Sequence, residues 1–175
     1  MIKLKDLLTE AKYPYGCVMA SIDGDSRNHI LTLNRKLIPD DIIYDDNTHE
    51  FGRETDPHVT IKFGLTKSYS KKEIEDFFKD VDPFTIRFGN ISIFENDKFD
   101  VVKIDVESDI LRTLNKQFSK LPNEDEHPKY HAHCTLAYVK PGEGKQFISK
   151  KEKIPVATID KIVYSDKGKK SHYKI

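Results

Sequence analysis

The sequence predicts one α+β domain made of two similar lobes, and three observations lead there. Segments with period-2 apolar alternation are interspersed with segments of helical spacing. The tetrapeptide His-x-Thr-x with apolar x occurs twice, at comparable places in the order of elements. A chain of 175 residues, 37% hydrophobic and 10% aromatic, buries one good core and is too short for two independent enzymatic domains. Residues 1–12 read as a leader or N-terminal helix, and 13–175 as the domain.

Tyr15 to Ile22 reads as a mostly buried strand, stopped by the turn signal Asp23-Gly24-Asp25-Ser26. Asn28 to Tyr44 carries Ile30, Leu31, Leu33, Leu37 and Ile38 at partly helical spacing and reads as a helix that Pro39 interrupts. A polar loop, Asp45 to Asp56, leads through Pro57 into a strand from His58 to Leu65. Ser70 to Val81 is a helix, with Ser70 as N-cap, Glu73 three residues on, and Ile74, Phe77 and Phe78 as its apolar stripe. Phe84 to Phe94 and Phe99 to Val106 are alternating strands joined by Glu95-Asn96-Asp97-Lys98. Ser108 to Leu121 is a further helix, with Ile110, Leu111, Leu114 and Phe118 on one face and Pro122 past its end. A charged loop, Asn123 to Lys129, opens into the strand His131 to Val139, and Val156 to Ser165 with Ser171 to Ile175 reads as a closing hairpin around Lys167-Gly168. Each half therefore supplies one His-bearing strand.

Charge narrows the partners. The 29 basic and 29 acidic residues cancel, so no global positive field exists to hold long duplex nucleic acid by counterion release. Small anions need only a local patch, which Lys161, Lys167, Lys169, Lys170 and Lys174 offer. Cys17 and Cys134 each lie in an apolar run, so a disulfide framework is not expected and a reducing compartment is. No apolar stretch approaches the roughly 20 residues of a membrane span, and the start lacks the apolar region of a secretory signal, so a soluble intracellular protein is expected.

In the strand reading, His58, Thr60 and Lys62 share one face and Val59, Ile61 and Phe63 the other. Likewise His131, His133 and Thr135 share one face, and Cys134, Leu136 and Tyr138 the opposite one. Apolar residues pin each strand to a core and fix where its His and Thr point. A chain of this composition would carry two such tetrapeptides by chance about 0.6% of the time. One alone reads as a structural histidine, whereas the pair reads as a site.

With His58-Val59-Thr60-Ile61 and His133-Cys134-Thr135-Leu136, the chain resembles the 2H phosphoesterase superfamily, whose signature is two such tetrapeptides. The resemblance spans roughly Tyr15 to Tyr164. It implies a bilobal 2H phosphoesterase-like fold, with two pseudo-symmetric lobes of antiparallel sheet, helices outside and a central cleft. The short length, the block from Pro57 to Gly64 and the N-terminus look more narrowly like the anti-CBASS phosphodiesterases of tailed bacteriophages, which degrade cyclic oligonucleotide defence signals. That likeness implies the cytoplasm of the infected host cell, and an acidic helper and base-stacking aromatics in other loops. Leu8-Thr9-Glu10 before Ala11 resembles the capsid-targeting leaders of such phages, which would put the protein in the virion interior; a short amphipathic helix is the plain alternative.

The chemistry fits these residue types. Cleavage of a ribonucleotide phosphodiester by the neighbouring 2′-hydroxyl needs a base for that proton and an acid for the leaving 5′-oxygen. Two histidines, with unperturbed pKa near ~6.5, can hold opposite protonation states at neutral pH, and threonine hydroxyls can donate to the charged phosphoryl oxygens. His58 and His133 are thus the expected acid/base pair, in either assignment, and Thr60 and Thr135 the phosphate ligands. Lys62 is a candidate phosphate contact, Tyr13 and Tyr15 are candidates for stacking on a base, and His131 is a candidate substrate contact. His131-x-His133 invites a metal, but no Asp or Glu stands at ligand spacing, so neither metal nor cofactor is expected. Cys134 beside His133 does not suggest a nucleophile, because neighbours on a strand face opposite ways. Hydrolysis of small cyclic nucleotides or oligonucleotides is the reading that follows. Its rivals are a 2′,3′-cyclic phosphodiesterase acting on RNA or tRNA ends, a non-catalytic nucleotide sponge, and an internal virion protein.

Overall fold

The computed structural model describes residues 14–47, 51–124, 129–148, 150 and 152–175. The expected leader and Tyr13 lie outside them. Two four-stranded sheets form the frame. The first holds β1 (Gly16–Ser21), β2 (His58–Leu65), β7 (Lys161–Asp166) and β8 (Lys169–Lys174), in the order β2-β1-β7-β8. The second holds β3 (Phe84–Glu95), β4 (Asp100–Glu107), β5 (His133–Val139) and β6 (Ala157–Ile159), in the order β5-β4-β3-β6. Every pairing is antiparallel. The strands of the two tetrapeptides, β2 and β5, each lie at one edge of their sheet.

Among the described residues three α-helices accompany the sheets: α1 (Gly24–Leu37), α2 (Lys71–Phe78) and α3 (Asp109–Phe118). Helix α2 begins with the expected capping box, Ser70 accepting from the Glu73 N–H while the Glu73 carboxylate accepts from the Ser70 N–H. Ser108 caps α3 by accepting from the Leu111 N–H. The Lys167-Gly168 hairpin is present as well, with φ of 48° and 89°, the left-handed pair that a tight two-residue turn requires.

The structure corrects four element readings. The turn signal at Asp23 to Ser26 is the start of α1, which runs from Gly24 and ends at Leu37 before Pro39 rather than spanning Asn28 to Tyr44. Asp, Gly and Ser are as much helix-start residues as turn residues, and here the Ser26 hydroxyl is tied to the carbonyls of Pro155 and Val156, 3.2 and 3.3 Å away. Val156 to Ser165 is two strands, broken at Asp160, where the chain leaves the second sheet for the first. Ile110 faces outward at 41% exposure, so the buried stripe of α3 is Leu111, Leu114 and Phe118.

The fourth correction concerns the His strands themselves. Met19 pairs with Thr60 but Val18 with Lys62, so Ile61 is an extra, bulged residue. Lys103 pairs with Thr135 but Val102 with Ala137, so Leu136 is bulged in the same way. A bulge shifts the alternation by one residue. Phe63 and Tyr138, expected on the core faces, are accordingly 48% exposed and half-buried, and Lys62 beside them is 5% exposed.

Each bulged residue's carbonyl is met from the other lobe. Asn115 on α3 donates from Nδ2 to Ile61 O at 2.8 Å, and Asn34 on α1 donates from Nδ2 to Leu136 O at 2.6 Å. Leu136 O also accepts from the Glu54 N–H at 2.8 Å, and the Tyr130 hydroxyl donates to Thr60 O at 2.9 Å. Asn34 is 2% exposed, and its Oδ1 accepts from Arg53 Nη1 at 2.9 Å. Removing a buried donor and acceptor of this kind costs about 1–3 kcal/mol. Asn34→Ala should therefore lower stability by about that amount in urea unfolding; an unchanged midpoint with an unchanged slope would refute this role for the link.

Candidate active site

His58 and His133 open β2 and β5. The second and fourth residues of both tetrapeptides, Val59, Ile61, Cys134 and Leu136, are fully buried, whereas the His and Thr residues are half-buried. Core packing thus turns the polar pairs outward. Each imidazole is held alike: His58 Nδ1 donates to Asp56 O at 2.8 Å, and His133 Nδ1 donates to His131 O at 2.7 Å. A carbonyl can only accept, so Nδ1 carries the hydrogen in both rings. The neutral ring then keeps its lone pair on Nε2, and the protonated ring offers Nε2–H.

A cavity of about 260 Å³ lies at this place. Of the expected site residues, Thr60, Lys62, His131 and His133 line it, with Lys129 and Tyr130 beside them, and His58, Thr135 and Tyr15 are not among its lining residues. Phe63 and Phe94 add aromatic surface, and Asn115 and Ser119 bring polar groups from α3. His58 is close enough for its charge to bear on His133. Thr135 follows His133 on the face that meets Lys103 of β4. The Tyr15 ring meets Phe63 of the cavity wall edge-on at 5.9 Å, and its hydroxyl donates to Glu124 Oε2 at 2.6 Å.

Several residues at the site were not singled out from sequence. On β4, Asp105 stands opposite His133 and Lys103 opposite Thr135. Lys103 Nζ donates to Asp105 Oδ1 at 2.8 Å and to Ser92 Oγ at 2.6 Å, and lies 4.3 Å from the Phe94 ring centre. The Phe94 ring meets His133 edge-on at 5.0 Å. Beside the other histidine, Glu54 Oε2 is 4.0 Å from His58 Nδ1, and Glu54 Oε1 accepts from the Thr55 and Asp56 N–H groups. The signal for Lys103 and Asp105 was present: in Val101-Val102-Lys103-Ile104-Asp105-Val106 two charges share one face of a strand whose other face is apolar. Glu54 had no comparable mark.

Burial lowers the His133 pKa below the usual histidine value; the bond to His131 O opposes this, the charges of Lys103 and His58 add to it, and Asp105 opposes it in turn. The cysteines are inert thiols. Burial pushes Cys17 up to about 12, against a hydrogen bond with Thr60 and the charge of Lys170, and burial pushes Cys134 higher still.

Comparisons with known proteins place the chain in a family. The family model of the 2′-5′ RNA ligase superfamily matches residues 44–157. Among solved structures, Usb1 of Kluyveromyces marxianus superposes with a TM-score of 0.59 at 8% identity, covering 94% of this chain and 100% of that one. Escherichia coli LigT complexed with 3′-AMP gives a TM-score of 0.52 at 13% identity, and complexed with NADP+ 0.55 at 12%, each covering 93% of this chain and 95% of LigT. No curated protein matches in sequence. The match covers well over half of the chain, including both tetrapeptides, and the chain belongs to the 2′-5′ RNA ligase superfamily, that is, it is a 2H phosphoesterase.

Proposed function

We propose that this phosphodiesterase cleaves 3′-5′ bonds of cyclic di- or oligonucleotide signals without a metal, His58 and His133 acting as acid and base and Thr60 and Thr135 holding the phosphate. The observation that carries the reading is the matched pair of Nδ1–H···O=C bonds, which leaves the chemically useful Nε2 of both rings uncommitted to them. LigT, which shares the fold, holds small nucleotides, and a cavity of about 260 Å³ with Lys62, Lys129 and His131 on its wall suits a substrate of that size and charge.

The depressed pKa favours His133 as the base. In the first step its Nε2 takes the proton of the substrate's 2′-hydroxyl, the 2′-oxygen bonds to phosphorus, the bond from phosphorus to O5′ breaks, and protonated His58 gives its proton to O5′. Glu54 is placed to accompany the cationic form of His58. The 2′,3′-cyclic phosphate so formed is opened by water with the two roles exchanged. The proposed setting is an infected bacterial cell in which a phage removes defence signals, with packaging in the capsid belonging to the same reading. Among the described residues no helix is long and apolar enough to cross a membrane.

The test is a panel of cyclic di- and trinucleotides, 2′,3′-cyclic mononucleotides and RNA ends, with products separated by mass. Cleavage confined to 2′,3′-cyclic ends would replace this reading by RNA-end processing, and binding without cleavage would make the protein a sponge. On the preferred substrate, His58→Ala and His133→Ala should each cut turnover ~10²-fold or more while the fold persists, and His131→Ala should do far less.

Turnover in excess EDTA should be undiminished, and a 2′-deoxy analogue at the scissile nucleotide should not react. Cleavage of that analogue at a rate near the ribose form would rule out the 2′-hydroxyl route. The pH dependence has a definite sign as well. A base must be deprotonated to act, so the ascending limb of kcat/KM should lie below the ordinary histidine pKa of about 6.5; a limb at or above it would remove His133 as the base.

A further inference from the structure

Lys103 is a charged side chain that nothing above requires. It is 4% exposed in the middle of β4, and burying an ammonium there is costly when an apolar residue of similar size would pack as well or better. Its surroundings are nonetheless built for it. Asp105 and Ser92 accept its hydrogen bonds, the Ser92 hydroxyl and Asp105 Oδ1 are themselves 2.6 Å apart, and the Phe94 ring lies over the ammonium. The same Phe94 ring touches His133, and Asp105 is the register partner of His133.

A carboxylate beside a histidine ordinarily binds the ring N–H and stabilises the imidazolium. Here His133 Nδ1 bonds to His131 O instead, while Asp105 Oδ1 is taken by Lys103 and Ser92. We propose that Lys103 is a positioning residue for His133: by engaging Asp105 it prevents that carboxylate from capturing the imidazole or its proton, and so leaves His133 a neutral base. The inference rests on the proposed base role of His133. The electrostatics agree with the geometry. Burial raises the Asp105 pKa, but the bonds from Lys103 and Ser92 and the charge of Lys103, with the charge of His133 as the last contribution, bring it below the usual carboxylate range. Among the described residues, the charged and titratable groups that face His133 are Lys103 and Asp105 from β4 and His58 from β2, with Lys62, Lys129, Tyr130 and His131 on the cavity wall.

The two members of the pair should act on His133 in opposite directions. Lys103→Met leaves an unbalanced anion and should raise the His133 pKa; Asp105→Asn leaves an unbalanced cation and should lower it. Ring-proton NMR titration of His133 in the full-length protein reads this directly, with or without turnover. The Lys103→Met/Asp105→Asn double variant should titrate near the wild type, and Lys103→Arg should hold the wild-type pKa. The ascending limb of kcat/KM should move with the titration in each variant. Shifts of the same sign in Lys103→Met and Asp105→Asn, or none in either, would overturn the proposal and leave Lys103 a packing residue. If Lys103→Met does not fold, Asp105→Asn and Lys103→Arg decide by the same criteria. Titrations that shift as expected while the kinetic limb stays fixed would instead remove His133 from the base role.

Discussion

Two bulged carbonyls, Ile61 O on β2 and Leu136 O on β5, are the points on which the geometry of the cleft depends. An edge strand leaves half of its backbone groups without a ladder partner, and a bulge frees one more. In this protein the freed carbonyls are paired across the lobes, Asn34 of α1 reaching β5 and Asn115 of α3 reaching β2. Because the bulged residue is the fourth of each His-x-Thr-x tetrapeptide, the same bond that satisfies the backbone fixes the strand that carries the His and Thr. Neither sheet could slide along the other without breaking both. The exchange of helices between lobes therefore ties two edge strands together at the place where their side chains must cooperate.

The bulges also explain the limits of reading this site from sequence. Alternation placed His58, Thr60, His133 and Thr135 correctly, because Val59, Ile61, Cys134 and Leu136 pin those four residues to the core. It failed immediately beyond, at Phe63 and Tyr138, where a one-residue insertion in pairing shifts the faces. Nothing in Ile61 or Leu136 marks a bulge, since both are good strand residues. The helices with explicit capping chemistry, at Ser70 and Ser108, were legible. Helix α1 was not delimited, because Asp23 to Ser26 has the composition of a turn and of a helix start alike. The break at Asp160 is invisible locally: Ile159 and Ile162 are both fully buried, in different sheets, and only the tertiary pairing separates them.

The acidic groups near the histidines illustrate a different difficulty. Asp105 is 47 residues after His58 in the chain and 28 before His133, and only the β4–β5 register brings it beside the latter. Its meaning depends further on Lys103, which converts a free carboxylate into half of an ion pair. A sequence pattern can reveal that two charges share the face of a strand. It does not reveal whether they face each other, the solvent or a histidine.

Pseudo-symmetry and function pull in opposite directions here. Repeating one tetrapeptide on two lobes duplicates the hydrogen bond that fixes each ring, and two rings in identical surroundings would have identical proton affinities. An acid/base pair needs them to differ, since one must hold a proton while the other lacks it. The two lobes differ at just this point. His58 has a neighbour in Glu54, whose second oxygen caps the adjoining turn, whereas the carboxylate near His133 is paired with a buried lysine. Burial of His133 deepens the contrast. Under the proposed chemistry, the folded scaffold supplies equal geometry from its repeat and unequal charge from the residues around it, and the second is what assigns each ring its role.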